Sequence, residues 1–91
     1  MNLRFNPDAE TGLPHIYTHN VSESEVEQVL RNAGEDRRGD ANSWVALGQT
    51  DAGRYLRVIY VRDPTPDSVF VITAYDLDGK ALKAYRRRMR R

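Results

Sequence analysis

The chain offers few side chains that do chemistry. It has no cysteine and only two histidines in 91 residues. His15 and His19 stand four apart. In an extended segment they share a face but lie roughly 13 Å apart, too far for one ion. A helical start at Pro14 would bring them together, yet a metal site would still have to recruit carboxylates, so no metal is expected. There is no Ser-His-Asp order, nucleophile elbow, dinucleotide fingerprint or phosphate-binding loop, and no cofactor is expected. What remains is arginine, tyrosine and histidine, enough for one reaction: cleavage of RNA by its own neighbouring 2′-hydroxyl. That reaction needs a group to take the hydroxyl proton, cations to hold charge developing on phosphate, and a donor for the leaving oxygen. His19, Arg54, Arg57, Tyr60 and Tyr75 form the candidate catalytic set, with Arg62 on the same run. The blander alternative for each arginine is a solvated strand side chain, and for each histidine a hydrogen-bonded structural residue.

The second chemical feature is charge. The net charge is +1, but every acid precedes Lys80, so residues 1–79 carry −6 and residues 80–91 carry +7. Lys80, Lys83, Arg86, Arg87, Arg88, Arg90 and Arg91 are therefore candidate nucleic-acid contacts. The alternative is internal: the basic end lies on its own acidic body, with Glu23, Glu25 and Glu27 as counterparts.

These groups need elements to position them. Leu3-Arg4-Phe5 and His15-Ile16-Tyr17 read as short strands, the second limited by Pro14 to an edge or a start. Ser22 and Glu25 make a capping box, and Val21 and Val26 occupy the positions of a hydrophobic staple. Val26, Val29, Leu30 and Ala33 form one apolar stripe, and Gly34 suits a left-handed helix stop. Residues 35–42, EDRRGDAN, read as a polar loop. Residues 43–50, 54–62 and 68–75 read as three strands of an antiparallel meander. Leu56, Val58 and Tyr60 share one face of the second; in the third, strict alternation sets Phe70, Ile72 and Ala74 against Val69, Val71, Thr73 and Tyr75. Both faces are largely apolar, so the one turned away from the helices needs a cover, either a protein partner or the N-terminal segment. Asp76 or Asp78 can cap a final helix. Ala81, Leu82, Tyr85 and Met89 make its apolar side, docked on the sheet, with the bases outward.

The order of elements, with particular residues, resembles the RelE/ParE toxin superfamily and within it the BrnT-like proteins. Thr18-His19-Asn20-Val21-Ser22 with Glu25-Val26 is similar to that family's K-H-G-V-[ST] entry into its helix. Ala46-Leu47-Gly48-Gln49-Thr50 and Gly53-Arg54-Tyr55-Leu56-Arg57-Val58-Ile59-Tyr60 are similar to its I-G-x-[ST]…G-R-x-L-x-V-x-[YF] hairpin, and Val71-Ile72-Thr73-Ala74 to its R-I-I-S-A strand. His19 and Arg54 match family positions. Tyr75 stands where the family has arginine, and the bases of the last helix come later than theirs.

The resemblance implies an α+β, RelE-like fold in which an N-terminal helix packs on a three- to four-stranded antiparallel sheet followed by a basic C-terminal helix. It also implies a toxin of a toxin–antitoxin system, a ribosome-associated, metal-independent mRNA endoribonuclease that inhibits translation, with RNA or the ribosome and a cognate antitoxin as partners. The other readings are a non-catalytic nucleic-acid-binding module and a protein-interaction module, including a homodimer closed over the second sheet face. The length predicts a single domain over residues 1–91. The absence of an apolar leader or span predicts a soluble, cytoplasmic protein without a membrane.

Overall fold

The computed structural model describes residues 1–90. The fold is α+β, a five-stranded mixed sheet with one helix on each face. Its strands are β1 (Asn2–Phe5), β2 (Glu35–Arg38), β3 (Trp44–Gln49), β4 (Tyr55–Arg62) and β5 (Ser68–Asp76), and its helices are α1 (Glu23–Arg31) and α2 (Gly79–Met89). The spatial order is β1-β5-β4-β3-β2. β1 runs parallel to β5, and every other pair is antiparallel. The sheet is thus wider than the expected three or four strands and is not purely antiparallel. The expected polar loop supplies the extra edge: Glu35 to Arg38 pair with Leu47 to Trp44. His15–His19 is a 3-10 turn, not a strand.

α1 starts as its sequence dictates. The Ser22 side chain accepts from the Glu25 amide, and the Glu25 carboxylate accepts from the Ser22 amide, so two otherwise orphaned donors are satisfied together. Val26 and Val29 are fully buried against Ala46, Leu56, Val58, Tyr60, Val71 and Ala74, with Ile16 and Val21 closing the layer. Gly48 lets the helix approach: a Cβ there would meet Val29 Cγ1 at 3.1 Å.

Val69, Val71 and Ala74 all face this core, which simple alternation forbids. The reason is a bulge. Ile59 pairs with Thr73 and Tyr60 with Val71, so Ile72 is the extra residue. An extra residue resets which side chains share a face.

α2 packs on the other face. Leu47, Leu77 and Tyr85 form a second core with Val45, Tyr55 and Leu82 around it. Ala81, expected on the buried side, is exposed, and Ala84 is half-buried instead. Gly34 does not take a left-handed conformation. It lacks a side chain because the Tyr85 hydroxyl fills that place, with Met89 Sδ at 2.9 Å from where a Cβ would stand. The N-terminal segment extends the sheet through β1 and does not cover its second face. No helix among the described residues is long and apolar enough to cross a membrane.

Candidate functional site

Helix α2 covers only one end of the second face. The remainder is an open groove of about 870 Å³ with a floor of Val45, Arg57, Ile59, Val61, Ile72 and Tyr75. Arg37 and Arg38 of β2 and the turn through Asp40 and Ser43 make one wall. The groove is apolar at its base and mainly basic at its rim.

Two of the five candidate catalytic residues, Arg57 and Tyr75, line this groove, and a third, His19, reaches the Tyr75 ring. Arg57 and Tyr75 are register partners on neighbouring strands, and the Arg57 guanidinium lies 6.0 Å from the Tyr75 ring centre. The 3-10 turn brings His19 edge-on to the same ring at 5.8 Å. His15 stands behind His19, with ring centres 5.4 Å apart, and its Nδ1 is 3.4 Å from the Asp8 carboxylate. The helical geometry at Pro14 therefore brings the two histidines together, yet no cluster of His, Cys, Asp or Glu among the described residues suits a metal ion.

Arg57 is electrostatically distinct. Its Nε–H is buried without an acceptor, and it forms no ion pair among the described residues. An arginine in a groove with no carboxylate paired to it keeps its guanidinium charge uncompensated, so an anion reaching its outer nitrogens would find it unengaged. Thr73 Oγ1, register partner of Ile59 on the same strand pair, is likewise buried and unpaired.

The other two candidates lie elsewhere. Arg54 is a structural clamp. Its Nε donates to Asp76 at 2.7 Å, its Nη1 to Glu25 at 3.1 Å and to the Asn20 carbonyl at 2.7 Å, and its Nη2 to the His19 carbonyl at 3.3 Å. It thereby fixes the backbone that presents His19. Tyr60 is buried on the opposite face, where its hydroxyl donates to Asp36 at 2.6 Å. Burial, and then that carboxylate, push its phenol up to about 12. Arg62 lies 3.6 Å from the Trp44 ring centre and 3.5 Å from Asp36, also away from the groove.

The basic end divides in the same way. Lys80, Lys83, Arg86 and Arg87 are exposed along α2, and Arg90 is exposed at its C-cap. Arg88 instead forms a two-pronged pair with Glu35, the Nη2 contact being 2.9 Å, and this pair holds the Glu35 carboxyl below its usual range. The tail does contact the acidic body, but through Glu35. Glu23 accepts from Tyr17, Glu25 from Arg54, and Glu27 from Arg31. Arg91 lies outside the described residues.

Reading the sequence alone missed the wall of the groove. Arg37 and Arg38 looked like loop charges, because a strand with four charged residues shows no apolar alternation. The only local hint is that Glu35-Asp36-Arg37-Arg38 lacks Gly and Pro.

A family profile described as a domain of unknown function (DUF4258) matches residues 15–76, from the 3-10 turn to the end of β5. That span contains the whole groove and excludes β1 and α2. No curated protein and no solved structure matches the chain.

Proposed function

The chain belongs to the DUF4258 family, a domain of unknown function, and from that premise we propose that it binds RNA across the second-face groove as a toxin-like endoribonuclease that arrests translation. The observation that carries this reading is Arg57, an arginine without an ion-pair partner among the described residues, on the floor of an open groove, beside Tyr75, whose ring His19 meets edge-on. The scissile phosphate sits on Arg57, which stabilises the charge that builds on its oxygens. His19 takes the proton of the attacking 2′-hydroxyl, and Tyr75 gives its proton to the departing 5′-oxygen. The products are a 2′,3′-cyclic phosphate and a 5′-hydroxyl, with no metal and no cofactor in the step. The exposed bases of α2 hold flanking phosphates.

The same reading takes helix α1, the β3–β4–β5 meander and basic α2 as a RelE-like order to which β1 and β2 are added at the sheet edges. A cytoplasmic setting, the ribosome as the place of action and an antitoxin as neutralising partner belong to this reading.

Induced expression in a bacterial host tests it, with growth and amino-acid incorporation followed together. Rapid arrest that Arg57→Ala relieves, with cyclic-phosphate ends in the RNA, supports it. Normal growth while folded protein accumulates rejects it.

A second reading, RNA binding without cleavage, is favoured by one observation. Arg54 is engaged by four protein acceptors and Tyr60 faces away, so the site is smaller than its sequence promises. Salt-sensitive RNA binding by a protein that leaves the RNA intact would establish it.

A further inference from the structure

We propose that a second pocket, beside the groove and beneath the end of α2, is a nucleobase subsite that makes the protein selective for single-stranded RNA. This rests on the RNA reading above and adds to it the form of RNA bound and the residue that reads it. The pocket has a volume of about 360 Å³ and is lined by Gln49, Tyr55, Tyr85, Arg86, Met89 and Arg90. Ligand sites span roughly 300–1,000 Å³, so this one suits a single nucleotide unit and is too small for a peptide helix.

Its chemistry is that of a base and its phosphate. Tyr55 is half-buried and makes an edge contact with Tyr85, ring centres 6.1 Å apart, so its orientation is set before any ligand arrives. Arg86 lies 5.8 Å from the Tyr55 ring centre. Arg86 and Arg90 are both exposed and supply cations for a phosphate. Gln49 is exposed, and its Nε2 donates to the Gly53 carbonyl at 3.0 Å. That bond orients the amide and leaves its oxygen and second N–H free for the edge of a base. An aromatic plane, a fixed amide and two arginines match the base and phosphate of an unpaired nucleotide.

The pocket's position ties it to the groove. Tyr55 and Arg57 lie on the same face of β4, two residues or roughly 6.6 Å apart. A strand whose phosphate rests on Arg57 can place the neighbouring base on Tyr55, with α2 alongside. A duplex keeps its bases stacked inward and cannot offer one to this pocket.

The experiment is fluorescence anisotropy with a short labelled single-stranded RNA and the same strand annealed into duplex, at about 50 mM salt. The full chain is compared with Tyr55→Leu, Tyr55→Phe, Gln49→Ala and Arg57→Ala. The expected result is tighter binding of the single strand than of the duplex. Tyr55→Leu should weaken single-strand binding about tenfold and leave duplex binding unchanged, while Tyr55→Phe keeps the wild-type value. Gln49 is exposed, so its variant remains informative if Tyr55→Leu fails to fold; it should flatten preference among homopolymers. Equal affinity for both RNA forms, or unchanged binding in both folded Tyr55→Leu and Gln49→Ala, overturns the subsite. If Arg57→Ala still weakens binding in that case, the groove reading survives. If the wild-type chain binds no RNA at all, both fall.

Discussion

The hydroxyl of Tyr85 occupies the place where a side chain on Gly34 would begin. This contact joins the connection between α1 and β2 to the middle of α2. The first prediction follows from it. Gly34→Ala forces Tyr85 outward and loosens the second core of Leu47, Leu77 and Tyr85. Overpacking of this kind costs about 1–3 kcal/mol. Urea denaturation should show that loss. Adding Tyr85→Phe, which removes the hydroxyl, should recover part of it, and a Gly34→Ala protein as stable as the wild type would mean that α2 is not docked as described.

Arg54 should behave as a structural residue. It joins Glu25, Asp76 and the carbonyls of Asn20 and His19 with only a quarter of its side chain exposed. Arg54→Met leaves Asp76 and two carbonyls without this donor and Glu25 with the Ser22 amide alone, and should cost about 1.5–3 kcal/mol. Its melting temperature should fall, and any loss of RNA binding should track the unfolded fraction. Full stability with lost RNA binding would instead make Arg54 a contact residue.

Arg57 should behave in the opposite way. Its buried Nε–H has no acceptor, so Arg57→Leu removes an unsatisfied donor and adds apolar contact to Ile59 and Ile72. The variant should gain about 1 kcal/mol in stability while losing toxicity and RNA affinity. A residue kept at the expense of stability is the signature of a site. A destabilised Arg57→Leu protein would show that the guanidinium serves the fold.

Stability should decline at both ends of the pH range. Glu25 is held below the ordinary carboxylate value chiefly by the Ser22 amide, with Arg54 adding to it, and Glu35 chiefly by Arg88. Carboxyls lowered in the folded state add stability above their unfolded value of about 4.3 and lose it as pH falls through their folded values. The urea midpoint should therefore be level near neutrality and drop below about pH 4, with a shallower drop in Glu35→Gln. Tyr60, raised to about 12 by burial and then by Asp36, has the reverse sign. Its contribution is whole below the unfolded value of about 10 and disappears as pH climbs toward its folded value. Phenolate absorbance in wild type and Tyr60→Phe measures this directly; a Tyr60 that ionises with the unfolded-chain value would contradict its burial.

Much of this fold is local and therefore legible. The Ser22–Glu25 box, the Val26 and Val29 stripe and the three meander strands lie where their periodicity and caps put them. What escaped depends on partners distant in the chain. Glu35–Arg38 is a strand because β3 offers it an edge, and its four charges hide that role. Asn2–Phe5 finds its neighbour in β5, which no local pattern specifies. Ala74 shares a face with Val71 only because of the bulge at Ile72. At the candidate site, sequence supplied Arg57, Tyr75 and His19 by residue type. It could not separate them from Arg54 and Tyr60, because engagement with Glu25, Asp76 or Asp36 is a tertiary fact.

The parallel pairing of β1 with β5 also sets an order of events during synthesis. β1 is translated first of these strands, yet its neighbour begins only at Ser68. At about 5–20 residues per second it waits about 3–13 s for that neighbour, while the two strands of the β3–β4 hairpin have each other to hand earlier. A strand in waiting is a hazard if it is long and greasy. This one is four residues with Arg4 in its interior, and Arg4 later pairs with Asp63 at 2.5 Å. The nascent chain thus carries a short, charged fringe until the sheet is ready to receive it.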